Sequence, residues 1–79
     1  MEPAEINPKS IGNNIRKERI SKQIKQEHLA KESRISISEI SRIENGHRDT
    51  SVKKLIRIAT VLQVHPADLL RAMFLVFVL

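Results

Sequence analysis

The sequence predicts an all-α domain, and three observations carry that expectation. Apolar residues recur at spacings of three and four, as in Ile11–Ile15 and Leu55–Ile58–Ala59–Leu62, and no alternating strand pattern precedes residue 72. Helix-entry signals stand immediately before those apolar rows: Asn7-Pro8, Ser36 with Glu39, and His65-Pro66. The whole chain has 79 residues, room for one domain with a small core.

Residues 1–6 hold Pro3 and the acids Glu2 and Glu5, and are expected to form a flexible lead with no features of a signal peptide. Asn7 is placed as the cap of the first helix and Pro8 at its first position, where the missing N–H has no helical partner to lose. That helix is expected to run to about Lys22, with Ile11 and Ile15 on one face and Arg19 next on the same row. A second helix spans Gln26 to Ser33 and buries Leu29 and Ala30. Its entrance is weak, because Lys25 cannot accept a hydrogen bond, and Glu27 in the first turn compensates only through the helix dipole.

Three residues later a third helix opens at Ile37, a helix–turn–helix spacing. Ser36 and Glu39 have the pattern of a capping box, and Ile35 and Ile40 that of a hydrophobic staple. Asn45-Gly46 closes the helix, glycine accepting the left-handed conformation without cost. Ile40 and Ile43 are placed inward, which leaves Ile37, Ser38, Ser41 and Arg42 on the outside. After a polar loop, Thr50 or Ser51 caps a fourth helix, about Val52 to Leu62. Its inner stripe is Val52, Leu55, Ile58, Ala59 and Leu62, with Lys53, Lys54 and Arg57 outside. Pro66 opens a fifth helix that returns Leu69 and Leu70 to the core.

Composition narrows the function. Fourteen Lys and Arg against nine Asp and Glu leave a net charge of +5, which favours polyanionic partners. Trp and Tyr are absent and the two Phe lie at 74 and 77, so there is no aromatic platform for stacking single-stranded bases. Without cysteine there are neither disulfides nor thiolate ligands, and a reducing cytoplasm fits. His28, His47 and His65 are too dispersed for a metal site, so no metal and no cofactor is expected. No set of nucleophile, base and orienting residue can be assembled, and Gly12 and Gly46 are isolated, which argues against an enzyme and against a phosphate-cradling loop.

From Ile11 to Leu70, about three-quarters of its length, the chain resembles the DNA-binding domain of the lambda-type repressors and Cro proteins, the xenobiotic-response-element family of bacterial and phage regulators. The matching residues are Ile11-Gly12, Ile15-Arg16 and Arg19, then Gln26-Glu27 with Leu29-Ala30. The match continues through Ile35-Ser36, Ile40-Ser41, Ile43-Glu44-Asn45-Gly46, and Leu55, Ile58-Ala59, Leu62 and Val64. The resemblance implies a compact five-helix bundle in which the third helix enters the major groove of double-stranded DNA. It assigns Gln26 and Ser36 to the phosphate backbone, Ile37, Ser38 and Arg42 to base edges, and Asn45 to a phosphate after the helix. His47 and Arg48, next in the chain, are expected on the backbone as well. Arg19 and Glu44 are expected to form an ion pair joining the first and third helices. In two places the chain departs from the family. The turn glycine is Arg34, where a left-handed conformation would be strained by about 1–2 kcal/mol. The first base-reading position is Ile37, which meets a thymine methyl but forms no hydrogen bonds.

Residues 72–79 form an unbroken apolar run, far short of the roughly 20 residues of a membrane span. Phe74, Leu75, Val76, Phe77, Val78 and Leu79 are read as a dimer contact, as helix or as strand. The alternative is the end of the fifth helix folded on its own core. The expected function is a cytoplasmic, nucleoid-associated regulator of prokaryotic or phage origin that binds a palindromic operator as a homodimer, as a repressor or controller. The alternative is an adaptor or antitoxin that uses the fold mainly for protein contacts.

Overall fold

The computed structural model describes residues 6–71. Four α-helices succeed one another: α1 (Pro8–Ser21), α2 (Gln26–Ser33), α3 (Ile37–Glu44) and α4 (Val52–Leu62), and a 3-10 turn, Pro66–Leu70, completes the fold. The fold is all-helical, as expected. The expected fifth α-helix is instead that five-residue 3-10 turn. Asp68 N donates to the His65 carbonyl at 2.8 Å, the i→i+3 bond of the tighter helix, and Arg71 returns to extended backbone before a second turn can form.

Most helix starts are local chemistry. Asn7 Oδ1 accepts from Ser10 N at 2.9 Å while Ser10 Oγ accepts from Asn7 N at 3.0 Å, a reciprocal box over the Pro8 start. Ser51, rather than Thr50, caps α4 by accepting from Lys54 N at 3.2 Å. Lys25 makes no side-chain cap, as its chemistry requires.

Helix ends are less conventional. Gly46 closes α3 at φ +75, and Arg34 does adopt the left-handed conformation, φ 60 and ψ 40. Two further side-chain-bearing residues, Gln23 (φ 57) and Gln63 (φ 58), share that region. At Arg34 the strain is offset by the next residue. Ile35 N donates to the Ala30 carbonyl at 3.0 Å, and the Ile35 side chain enters the core.

The core joins all five elements. Ile15 of α1, Leu29 of α2, Ile40 and Ile43 of α3, Ile58 and Leu62 of α4, and Leu69 of the 3-10 turn are all buried. Val52 does not belong to it. At 74% exposed, in the first turn of α4, it faces solvent, and the buried stripe begins at Leu55. Against α3, α1 makes its closest approach at Gly12, where a Cβ would lie 2.0 Å from the Ile43 carbonyl oxygen. Asn14, also on α1, donates to the Leu69 and Arg71 carbonyls at 3.1 and 2.8 Å and holds the end of the described chain against the bundle.

Candidate nucleic-acid interface

α3 is short and fixed at both ends, and its outward edge is polar. Ser36 Oγ accepts from Glu39 N at 3.1 Å at the entrance, and Gly46 turns the chain at the exit. Ile40, Ile43 and Glu44 are buried, while Ser36, Ile37, Ser38 and Arg42 are exposed. Ile37 exposes 46% of its surface. Arg42 lies four residues after Ser38, on the same helical row, and has no ion-pair partner among the described residues. Asn45, His47 and Arg48 continue along the exposed loop.

The base of this helix is held by a charged network. Arg19 grips Glu44 through two hydrogen bonds, Nε to Oε2 at 2.7 Å and Nη2 to Oε1 at 3.0 Å. Its remaining terminal nitrogen donates to the Ile24 carbonyl at 2.9 Å, in the segment between α1 and α2. The side chains are 13% and 2% exposed, so this is a sheltered pair with fork-to-fork geometry. The expected contact is present, and it has a third member. Gln26 Nε2 donates to Glu44 Oε1 at 3.1 Å, which ties the first turn of α2 to the last turn of α3. One amide N–H of Gln26 remains for another acceptor. Sequence reasoning gives Gln26 no partner inside the protein, because nothing local pairs it with a side chain 18 positions away.

At the other end of α3 the capping box is only half formed. The Glu39 carboxylate turns away from the Ser36 amide and takes Lys54 Nζ of α4 as its partner. This hydrogen bond holds the Glu39 carboxyl below the usual carboxylate range. Partial burial works against the shift, and the fields of Lys54, Arg48 and Arg57 reinforce it. Lys54 and Arg57 are therefore not simply outward, as the sequence suggests. Lys54 is 33% exposed at its side chain, and Arg57 Nε is buried with no hydrogen-bond partner.

Among the described residues no group of three or more His, Cys, Asp or Glu side chains is placed to hold a metal ion. No described helix is long and apolar enough to cross a membrane. Phe74, Leu75, Val76, Phe77, Val78 and Leu79, read from sequence as a dimer contact, lie outside the described residues.

Comparison with known proteins agrees with this arrangement. The family model described as Helix-turn-helix matches residues 15–69. The clp gene regulator ClgR from Corynebacterium glutamicum superposes with a TM-score of 0.80 at 28% identity, over 86% of this chain and 72% of that one. The restriction-modification controller protein C.AhdI from Aeromonas hydrophila gives 0.76 at 31% identity, over 78% and 94% of the two chains. SinR, the master regulator for biofilm formation solved in complex with DNA, gives 0.74 at 29% identity, over 77% and 98%. No curated protein matches the sequence. The chain belongs to the helix-turn-helix family, in the lambda-type, xenobiotic-response-element branch that its sequence resembles.

Proposed function

We propose that this protein is a sequence-specific regulator of transcription that binds double-stranded DNA through α3, as a dimer on a palindromic operator. The observation that carries the reading is the contrast between the two sides of α3. Its inner side is pinned by the core and by the Arg19–Glu44–Gln26 network, whereas Ile37, Ser38 and Arg42 are exposed with no role inside the protein. Such rigidity is what a base-reading helix requires. The likeness to SinR, a regulator solved on DNA, and to the controller protein C.AhdI supports it.

The chemistry of each side chain sets its role. Arg42 reads guanine through O6 and N7, Ile37 packs on a thymine methyl, and Ser38 takes a single base hydrogen bond. The free Gln26 N–H, the Ser36 hydroxyl, Asn45, His47 and Arg48 bind phosphates and set the register. The DNA-binding unit is residues 7–71, acting in a prokaryotic cytoplasm or on phage DNA, and the apolar segment 72–79 supplies the contact between two copies.

Selection of bound sites from a random duplex library tests this reading. Enrichment of a palindrome supports it, whereas recovery of unselected sequences with steep salt sensitivity is the outcome for an adaptor that does not read DNA. Arg42→Ala is expected to weaken the selected site by about 1–3 kcal/mol and relax one base pair per half-site. Equal losses on selected and random duplexes would make Arg42 a phosphate contact.

Deleting residues 73–79 is expected to give a folded monomer that binds one half-site weakly, since a two-fold dimer reads half-sites about 34–36 Å apart. Sedimentation decides this. A truncated chain that remains dimeric at micromolar concentration moves the interface elsewhere, and one that unfolds places the segment in the monomer core.

A further inference from the structure

Glu39 is the one acid on the outer half of α3, three residues past the Ser36 cap and directly after the exposed pair Ile37 and Ser38. An unscreened carboxylate there would repel a duplex. This one is not unscreened. Lys54 Nζ is bonded to it, and Arg48 and Arg57 lie close enough to act on it electrostatically. Its side chain is only 17% exposed, while Lys54 keeps a third of its own surface in solvent. The reciprocal half of the capping box would have been a local use for Glu39, and the fold forgoes it for a cation on α4.

An ammonium in that position has two possible anions, the Glu39 carboxylate and a DNA phosphate. In a chain of charge +5, each further cation that reaches the backbone strengthens binding to every sequence alike. We propose that Glu39 is a specificity-determining residue that acts as an internal stand-in for phosphate. By retaining Lys54 it keeps one cation off the duplex backbone and lowers sequence-indifferent affinity. Discrimination is thereby left to Ile37, Ser38 and Arg42. This rests on the DNA-binding reading above.

The test is binding to a random-sequence duplex, and to the selected operator, across a salt titration. Each phosphate newly neutralised steepens the dependence of log K on log salt by about 0.9. Glu39→Gln is expected to steepen the random-duplex slope by that amount and to tighten random binding roughly three- to tenfold at low salt. The ratio of operator to random affinity then falls, and Glu39→Gln/Lys54→Met returns the slope to the wild-type value.

A Glu39→Gln/Lys54→Met slope shallower than wild type by about 0.9 would show Lys54 already on a phosphate and overturn the assignment. An unchanged Glu39→Gln slope, in a variant whose melting curve shows it folded, would reduce the pair to a structural link between α3 and α4. Wild-type protein that binds neither duplex would instead remove the DNA-binding reading itself, and the proposal with it.

Discussion

Replacing Glu44 with alanine is expected to lower the unfolding free energy by about 3–5 kcal/mol, the cost of stranding one member of a buried ion pair. Glu44 is 2% exposed at its side chain and accepts from Arg19 twice and from Gln26 once. Its loss leaves the Arg19 guanidinium, 13% exposed, facing the last turn of α3 with no counter-charge. Domains of this size carry little surplus stability, so such a loss brings the chain close to unfolding at physiological temperature. Lys54→Ala is the comparison. It breaks a partly exposed pair with Glu39 and is expected to cost no more than about 1 kcal/mol. Lys53→Ala removes an exposed charge that has no ion-pair partner among the described residues and should lie within about 0.5 kcal/mol of wild type. Denaturant unfolding of the three variants gives the ranking directly. If Glu44→Ala and Lys54→Ala unfolded at the same denaturant midpoint, Glu44 would not be the tie between α1, α2 and α3.

What the sequence makes legible here is whatever is decided within about one helical turn. The Asn7 cap, the Ser51 cap, the Gly46 stop and the inward phase of Ile40 and Ile43 all depend on near neighbours, and all appear in the fold. The Arg19–Glu44 pair is legible as well, because Arg19 lies one turn after Ile15 and Glu44 one turn after Ile40, which places both at the inner edge. Residues with a distant partner and no apolar row of their own to place them are not legible. Glu39 has a local use in a capping box, and Lys54, 15 positions away, outcompetes it. Gln26 is drawn into the Glu44 network by the packing of α2 on α3, for which its own neighbours give no sign. Val52 continues the apolar period of α4 perfectly well, yet it is exposed and the buried stripe begins at Leu55, which its own neighbours do not signal. Gln23 and Gln63 turn the chain through left-handed conformations without the glycine that would have announced them.

Gly12→Ala is expected to destabilise the protein by about 2–3 kcal/mol, the opposite sign from the usual effect of this substitution within a helix. In an ordinary helix interior alanine gains about 0.5–1 kcal/mol over glycine, because it restricts the unfolded chain and favours helical backbone. Gly12 is at the crossing of α1 over the end of α3, where an added Cβ would stand 2.0 Å from the Ile43 carbonyl oxygen and 3.0 Å from that of Glu44. Both obstructing atoms are backbone, so no rotamer change relieves the contact, and α1 must withdraw from α3 as a body. That withdrawal also acts on the ion pair, since Arg19 sits two turns further along α1 and its fork must meet Glu44 on α3. The two defects therefore share one cause. Gly12→Ala combined with Glu44→Ala should cost less than the sum of the separate losses, the signature of sites that act on one contact. Asn13→Ala, the neighbouring substitution on the same helix, should stay within about 0.5 kcal/mol of wild type. The same displacement tilts α3 relative to the rest of the bundle, so a folded Gly12→Ala protein should lose affinity for the selected operator while retaining salt-dependent binding to random duplex. Thermal and denaturant unfolding check the first part. A Gly12→Ala protein that melts at or above the wild-type temperature would mean that α1 and α3 do not approach at Gly12 closely enough to exclude a methyl group.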